Sequence, residues 1–384
     1  MQKIGIIGLG LNGLIASISM KIAGFEVASF ETSEASFLTK DNRTSALTFE
    51  TIEFFKELQI FDELKDFIAP IKHIYTFEIT QAPILSFESE KVSENPFGYV
   101  VQNSKLKEVL IKKLNSLEIP IISSKISNLE SANNFHNISL ENGDSIKCKL
   151  ILNCSGKASA SFSTGKRHEF DYNQTAFVFN ISHEKEHQNI AIESFSPEGP
   201  IAILPLLTPL NSAVILTVKT ETGEYLKSVS KENFLEEFKK MTSRMKHVGQ
   251  IFEITSDVKS YPLALSFKAS QVGKRMLLLG DCFNTIHPVA GQAFNMSLKD
   301  IKNLYSEGKI AIKLGLDVGG ETFLTKLSRK NLKHHIEMNL FTHFLVKIFS
   351  NQSKVLKVLR NFGIEVLEKT SPLKKFLMKK ASGI

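Results

Sequence analysis

The chain has 384 residues, 42% hydrophobic and 23% charged, with 47 Lys and Arg against 40 Asp and Glu. This composition excludes disordered, collagenous and disulfide-stapled chains, and its three cysteines (Cys148, Cys154, Cys282) read as reduced thiols of a cytosolic protein. The length predicts two domains, or one nucleotide-binding domain with a second module grown into it. The net charge of +7 is unevenly placed: from Phe341 to Ile384 there are nine basic and two acidic residues, so the preceding 340 residues sum to zero.

From the N-terminus, KIGIIGLGLNGLIASISMKIAGFEVASFE reads as strand, tight turn, helix and strand. Ile4, Ile6 and Ile7 begin a buried strand, and Leu14, Ile15, Ile18 and Ile22 form the inner face of the helix. Gly8, Gly10 and Gly13 make G-x-G-x-x-G at the junction. The first allows the turn, the second lets backbone approach a pyrophosphate, and the third lets helix pack closely on strand. Glu31 ends the second strand, where a carboxylate accepts hydrogen bonds from ribose hydroxyls. The segment Ile4 to Met20 is uncharged, but its four glycines and Asn12 argue against an export signal.

Asp41, Asn42, Arg43, Thr44, Ser45, Ala46 and Leu47 follow, then a helical run from Phe49 to Leu58. Further on, Thr175 to Ile181 and Ile201 to Leu206 are strand-like, with β-branched and aromatic residues between turn signals. Gly199 to Val218 is uncharged, but Pro200, Pro205 and Pro209 interrupt it; two buried strands around TPLNS fit it better than a spanning helix. No transmembrane helix is expected. In MLLLGDCFNTIHPVAGQAFNMSLKDIKNL, four apolar residues deliver Gly280 and Asp281 to a strand end, and Pro288 to Gly291 lead into a helix from about Gln292. A strand-end carboxylate there accepts a sugar-type hydroxyl, Gly291 admits a ring close to the backbone, and the helix start offers unpaired N–H groups and partial positive charge. His287 has no second ligand at helical or loop spacing, so no metal site is expected.

DNRTSAL at Asp41 to Leu47, PIKHIYTFE at Pro70 to Glu78, FGYVVQNSKL at Phe97 to Leu106, and the Gly280 to Asn295 motif together resemble the FAD-dependent aromatic hydroxylases of ubiquinone biosynthesis, which are class A flavoprotein monooxygenases. Asp171, Tyr172, Gln174, Glu193, Phe195, Gly199, Pro200 and Pro205 also stand where that family's pattern has them. The resemblance runs from the first strand to the SPLKKFLMKKASG tail. It implies an α/β fold: a Rossmann-like FAD-binding domain (1–72, 98–165 and 266–320), an inserted β-sheet substrate domain (73–97 and 166–265) and C-terminal basic helices (321–384). It adds Arg43, Gln102 and Asn103 as residues against the flavin, and Gly280, Asp281, Pro288, Gly291, Gln292, Ala293 and Asn295 as the second flavin motif. With Gly8, Gly10, Leu11, Asn12, Gly13, Glu31 and Phe294, these complete the expected cofactor-binding set. A helix start is a suitable partner for the negative N1–C2=O edge of reduced flavin.

The resemblance implies that NAD(P)H reduces FAD, that molecular oxygen adds as a hydroperoxide, and that the terminal oxygen passes to a polyprenylated phenol. Chemistry of this kind belongs to the cofactor, and no residue is singled out as catalytic acid or base. Two other readings stay open: another flavin oxidoreductase (a different aromatic hydroxylase or a prenyl reductase), and a non-catalytic FAD-holding subunit of a quinone-biosynthesis complex. Three departures from the family pattern stand out. Cys154-Ser155-Gly156 replaces Ala-Asp-Gly and loses an aspartate linked to nicotinamide and flavin binding. Phe283 and Asn284 replace a small residue and a histidine, and Ala293 replaces a glycine.

In the tail, Leu340, Phe341, Phe344, Leu345, Ile348 and Phe349 repeat at helical spacing, followed by Val355, Leu356, Leu359 and Phe362. Leu373, Phe376 and Leu377 then lie among Lys374, Lys375, Lys379 and Lys380. This reads either as a helical cap with a solvated basic face or as peripheral attachment to an anionic membrane or acidic partner at the inner face of a membrane. Nucleic acid is not an expected partner, and oligomeric state is left open.

Overall fold

A computed structural model describes residues 1–31, 41, 43–78, 85–91, 93–156, 165–243, 245, 247–288 and 291–350. Asn42 and the tail residues from 351 to 384, with the Val355–Phe362 repeat and the four lysines, lie outside the described residues. So do the side chains of Phe341, Phe344, Leu345, Ile348 and Phe349.

In chain order, β1 (Lys3–Ile7), α1 (Leu11–Ile22) and β2 (Glu26–Phe30) come first, then β3 (Thr44–Thr48), α2 (Phe49–Glu57) and α3 (Phe61–Leu64). After β4 (Ile68–Ile71), β5 (His73–Glu78), β6 (Leu85–Glu88) and β7 (Gly98–Gln102), α4 (Asn103–Ser116) leads to β8 (Ile121–Ile122). The short strands β9 (Ile126–Ser131), β10 (His136–Leu140) and β11 (Ser145–Cys148) precede β12 (Leu150–Asn153). Then come β13 (Arg167–His183), β14 (Ile190–Phe195), β15 (Pro200–Pro205), β16 (Asn211–Lys219), α5 (Thr220–Ser228) and α6 (Lys231–Thr242). The chain closes with β17 (Ile251–Ile254), β18 (Lys259–Lys268), β19 (Val272–Gly273), β20 (Met276–Leu278), β21 (Asn284–Thr285), α7 (Gln292–Leu314) and α8 (Glu321–Ser350).

The first sheet has the order β19-β20-β12-β1-β2-β8 and is parallel except for the edge strand β19. Strands buried on both faces need continuous apolar runs, which explains KIGII, LILN and MLL. One face takes α1, α4 and α7 through Leu14, Ile15, Ile18, Leu106, Leu110, Leu298, Ile301 and Leu304. On the other, Ile7, Phe30, Ile151 and Leu278 pack with Ile126, Ile138 and Leu140 of a three-stranded antiparallel sheet, β11-β10-β9.

The larger sheet has the order β21-β18-β13-β16-β15-β14-β5-β6, with β17 paired to β13; only β14 and β5 run parallel. The two runs around TPLNS pair antiparallel as β15 and β16. Helices α5 and α6 close one face: Leu226, Phe234 and Phe238 pack on Phe177, Phe179, Ile203, Val214 and Leu216. The opposite face meets a small sheet, β3-β7-β4, through Ala191, Leu204 and Ala213 against Ala46 and Val100. The DNRTSAL segment thus forms β3, which lies between the large sheet and the start of α7.

Candidate functional site

The turn after β1 is built for close approach. A Cβ on Gly13 would lie 1.9 Å from the Gly8 carbonyl oxygen, so only glycine lets α1 sit this near β1. A Cβ on Gly10 would meet nothing within 4 Å, so the tip of the turn faces open space. Gly10 caps α1 without a side-chain hydrogen bond, and no acidic residue lies in the first turn. That contrasts with α2 and α6, whose starts are capped by Thr48 and Ser230 and carry Glu50 and Glu232. The start of α1 therefore keeps its positive end free for an anion. Glu31 Oε2 accepts a hydrogen bond from Leu9 N at 2.8 Å, which holds this carboxylate beside the turn.

Asn12 ties the two motifs together. Gly280 has φ +64, and a Cβ there would fall 2.3 Å from Asn12 Nδ2. The first residue of the Gly280–Cys282 turn is thus pressed against α1, and the Oδ1 of Asn12 is buried with no hydrogen-bond partner among the described residues. Asp281 is exposed on that turn. Arg167 of β13 clamps the turn from below, donating to the carbonyls of Asp281 (3.3 Å) and Cys282 (2.7 Å).

A second cluster joins Asp41, Arg43 and Asn103. Arg43 binds Asp41 in a forked pair (Nη2 to Oδ2 2.7 Å, Nε to Oδ1 2.8 Å) and lies 5.6 Å from the Tyr261 ring centroid. Asn103 Nδ2 donates to Asp41 Oδ2 at 3.1 Å, and Asn103 Oδ1 accepts from Ser45 Oγ at 2.7 Å. The N–H groups of Asn103 and Ser104, at the start of α4, go to the carbonyls of Arg43 and Asp41. Burial works to raise the Asp41 pKa, but the Arg43 bond and charge, with Asn103, outweigh it and hold the carboxyl at about 2. Gln102 precedes α4 and offers no side-chain cap. Lys107, one turn along, is pushed down by burial while the charges of Glu31 and Asp41 oppose that shift, so it lies within the field of both carboxylates.

The start of α7 repeats the arrangement of α1. Gly291 caps it in the left-handed region (φ 60) without a side-chain bond, and its first turn, which includes Gln292, Ala293 and Phe294, has no acidic residue. Ala46 lies 3.3 Å from where a Gly291 Cβ would stand. Preceding Pro288, His287 is fully buried, hydrogen-bonds Gln174 Oε1 (3.2 Å) and is pushed down to about 4 by burial, so it stays neutral.

Three residues of the expected cofactor-binding set have side chains engaged within the protein. The Asn295 carboxamide accepts from Thr48 N (3.0 Å) and Thr51 Oγ1 (2.9 Å) and donates to the carbonyls of Ala46 (2.7 Å) and Gly291 (3.2 Å). Its side-chain hydrogen-bonding capacity is used in tying β3 and α2 to the start of α7. Leu11 and Phe294 turn their side chains onto the apolar core, and only their backbones face the helix starts.

The departures also find their places. Ser155 backs onto Gly8 and donates through Oγ to Asn153 Oδ1, so the dinucleotide turn is supported here without a carboxylate. Phe283 packs edge-on against His335 at 4.9 Å, and Asn284 Nδ2 lies 3.0 Å from His335 Nδ1 and donates to Asn339 Oδ1 (2.9 Å). These two residues dock α8, whose His334 and His335 close on the buried Asp300 of α7 at 2.9 and 2.8 Å. This trio, far apart in sequence, escaped the spacing rules used for metal ligands. Gln271 Nε2 also donates to Asp300 at 2.7 Å.

Above the start of α7, the large sheet presents an unusual face. Strand alternation puts Val178, Glu193, Ala202, Leu204 and Ile215 on the side toward β3-β7-β4, with Tyr261 at the β18 end beside Arg43. Val178, Glu193, Leu204 and Ile215 are partly accessible although their strands are central in the sheet. Their neighbours on the other face, Phe179, Ile192, Ile203, Val214 and Leu216, are at most 2% exposed. The open face is therefore only partly covered, and Glu193 stands on it beside Ala202, Ile215 and Val178. Sequence patterning did not single out Lys107 or Arg167, and it named Glu193 and Asp41 only as positions of the family pattern, without a role. The role of Asp41 could have been found from its place two residues before Arg43; the others carry no local signal.

These residues fit FAD. Two helix starts without a side-chain cap or an acidic residue offer places for its anionic parts, and Glu31 and the Asp281 turn lie beside the first of them. A model of the FAD binding domain matches residues 1–315. Among curated relatives, the ubiquinone hydroxylase UbiL of Rhodospirillum rubrum is 27% identical, over 98% of this chain and 89% of its own length. The 3-demethoxyubiquinol 3-hydroxylase of Escherichia coli is 23% identical, over 100% and 98%. Among solved structures, p-nitrophenol 4-monooxygenase PnpA of Pseudomonas putida superposes with a TM-score of 0.80 at 14% identity, covering 99% of this chain and 98% of its own. HpxO of Klebsiella pneumoniae, complexed with FAD and uric acid, gives 0.79 at 12% identity over 99% and 96%. With the matched domain covering most of its length, the chain belongs to the FAD-binding domain family and takes FAD as its cofactor.

Proposed function

We propose that this protein is an FAD-dependent monooxygenase that hydroxylates the aromatic ring of a polyprenylated phenol in ubiquinone biosynthesis. The observation that carries this reading is the partly accessible, largely apolar face of Val178, Ile215 and Leu204, on the side of the large sheet that meets β3, the strand packed on Gly291 at the start of α7. It suits a ring with a hydrocarbon tail, and the relatives that hydroxylate ubiquinone precursors or quinols support the choice. FAD, reduced by NAD(P)H and charged with molecular oxygen, supplies an electrophilic oxygen atom. The chain's own residues bind and orient. The α1 start takes the pyrophosphate, Glu31 and Asp281 take ribose and ribitol hydroxyls, and Arg43, Gln102 and the Asn103 corner lie against the cofactor. The α7 start stabilises negative charge on the reduced ring. Ser155 supplies no carboxylate for the nicotinamide, so the donor binds without that group.

Among the described residues no helix is long and apolar enough to cross a membrane. Delivery of a polyprenyl substrate through peripheral contact of the basic tail with an anionic membrane, or with a quinone-biosynthesis complex, is part of the same proposal. Its test is vesicle binding: neutralising Lys374, Lys375, Lys379 and Lys380 abolishes it if the tail is the anchor.

The central test is NAD(P)H oxidation by the FAD-loaded protein with a prenylated phenol, analysed for a product heavier by one oxygen atom. Rescue of quinone synthesis in hydroxylase-deficient bacterial strains is expected. Bound FAD with no oxygenated product and no rescue rejects the reading. Gly13→Ala, by placing a methyl against the Gly8 carbonyl, is expected to lower FAD retention at least 10-fold, read by flavin absorbance after gel filtration.

A further inference from the structure

The partly covered face of the large sheet carries a carboxylic acid, Glu193, at its centre. It lies on β14, between Thr76 of β5 and Ala202 of β15, with Ile215 and Val178 continuing the row. Among the described residues none hydrogen-bonds or ion-pairs with it. The next charged residue along the row is Lys259 on β18, four strand spacings or about 19 Å away. At the β18 end of the same face are Tyr261 and the Arg43–Asp41 pair, which neutralise each other. The facing small sheet contributes Ala46 and Val100. An acid with no partner among the described residues, set beside Ala202, Ile215 and Val178 on a partly accessible face, costs stability. Such a group is suited to a ligand that brings its own donor.

We infer that Glu193 accepts the hydroxyl of the phenolic substrate and takes its proton during oxygen transfer, which makes it the general base of the reaction. The inference rests on the hydroxylation reading. The phenol O–H bond breaks and its proton goes to the Glu193 carboxylate. The electron-rich ring carbon then forms the new C–O bond with the oxygen atom supplied through FAD and O2. Loss of the hydrogen from that carbon restores the aromatic ring and returns a proton to the original phenol oxygen. The proton held by Glu193 balances the one needed for the second oxygen atom to leave as water. Burial pushes the Glu193 pKa up to about 8, so its carboxylate is a stronger base than an exposed one and is still populated near neutral pH.

The test separates binding from turnover. Calorimetry on the oxidised, FAD-loaded protein at pH 9 compares 2-geranylphenol with its methyl ether, which cannot donate. Wild type is expected to prefer the phenol by about 10-fold or more, the range of a hydrogen bond to a charged group. Glu193→Leu is expected to bind both alike while keeping its FAD. In turnover, Glu193→Gln is expected to slow hydroxylation by about 100-fold or more and to lose the rise in rate through pH 8. Glu193→Asp is expected to regain part of both. No preference in wild type, or an unchanged preference in Glu193→Leu, overturns the assignment of Glu193. Preference without any oxygenated product instead overturns the hydroxylation reading and leaves the phenol contact standing.

Discussion

The nine-stranded sheet has two faces made from the same strands, and they have been used in opposite ways. One is sealed by α5 and α6, where Phe234 and Phe238 pack edge to face on Phe179 and Phe234 lies tilted against Phe177. The other is only partly covered by the small sheet and leaves Val178, Leu204, Ile215 and Glu193 accessible. The sealed face supplies stability by burying area and dispersion contacts. The open face gives up part of that burial and holds an acid that burial pushes toward its protonated form. Such a cost persists where function needs it.

This contrast can be broken most directly at Phe238, which is fully buried under the sheet. Phe238→Ala is expected to lower unfolding free energy by about 3–5 kcal/mol, by lost transfer energy and a residual cavity. FAD content and substrate affinity should change little, and denaturant titration checks the first while flavin absorbance checks the second. A cost below about 1 kcal/mol would mean that the two faces are not different in kind.

Glu193 comes next, with the opposite sign. Its folded pKa of about 8 lies above its ordinary value of 4.5. The fold therefore favours the protonated acid: that contribution is fully present below pH 4.5 and is lost as pH rises to 8. Glu193→Gln removes this dependence. At pH 5 it should match wild type, and at pH 8 it should be more stable by on the order of 3 kcal/mol, allowing for partial accessibility. Thermal melts at the two pH values decide this. A variant that loses activity while gaining stability is the mark of a functional group rather than a structural one.

The smallest effect is expected at Ile215. Because it is partly accessible, Ile215→Ala should cost below about 2 kcal/mol of stability. Affinity for a prenylated phenol should fall about 5- to 10-fold, through lost contact with the tail, and a phenol without a tail should be bound almost as before. Equal losses for both ligands would place the tail elsewhere.

Much of the fold was legible because it is written in local pattern. The β1 turn and the start of α7 depend on glycine at fixed spacing, and β15 and β16 on apolar runs divided by prolines, so each can be read within about 30 residues. Asn295 shows the limit. Its position in the motif is visible, but three of its four hydrogen bonds go to β3 and α2, nearly 250 residues away, and only the one to Gly291 is local. Phe283 and Asn284 looked like losses from a flavin motif until α8 was seen to rest on them. The Asp300, His334 and His335 trio is likewise assembled only by packing two helices side by side.

The sequence by itself determined a dinucleotide-type cradle, its second motif, and the chain order of strands that carries both, because these are matters of backbone conformation and period. Which face of the inserted sheet is sealed and which is open was decided only by tertiary structure. Alternation says that Glu193 and Ile192 point opposite ways, but not which of them meets a wall of phenylalanines and which a partly covered face. The physical reason is that burial, and with it the pKa of Glu193, depends on elements brought to the sheet from elsewhere in the chain: α5 and α6 on one side, β3 and α7 on the other.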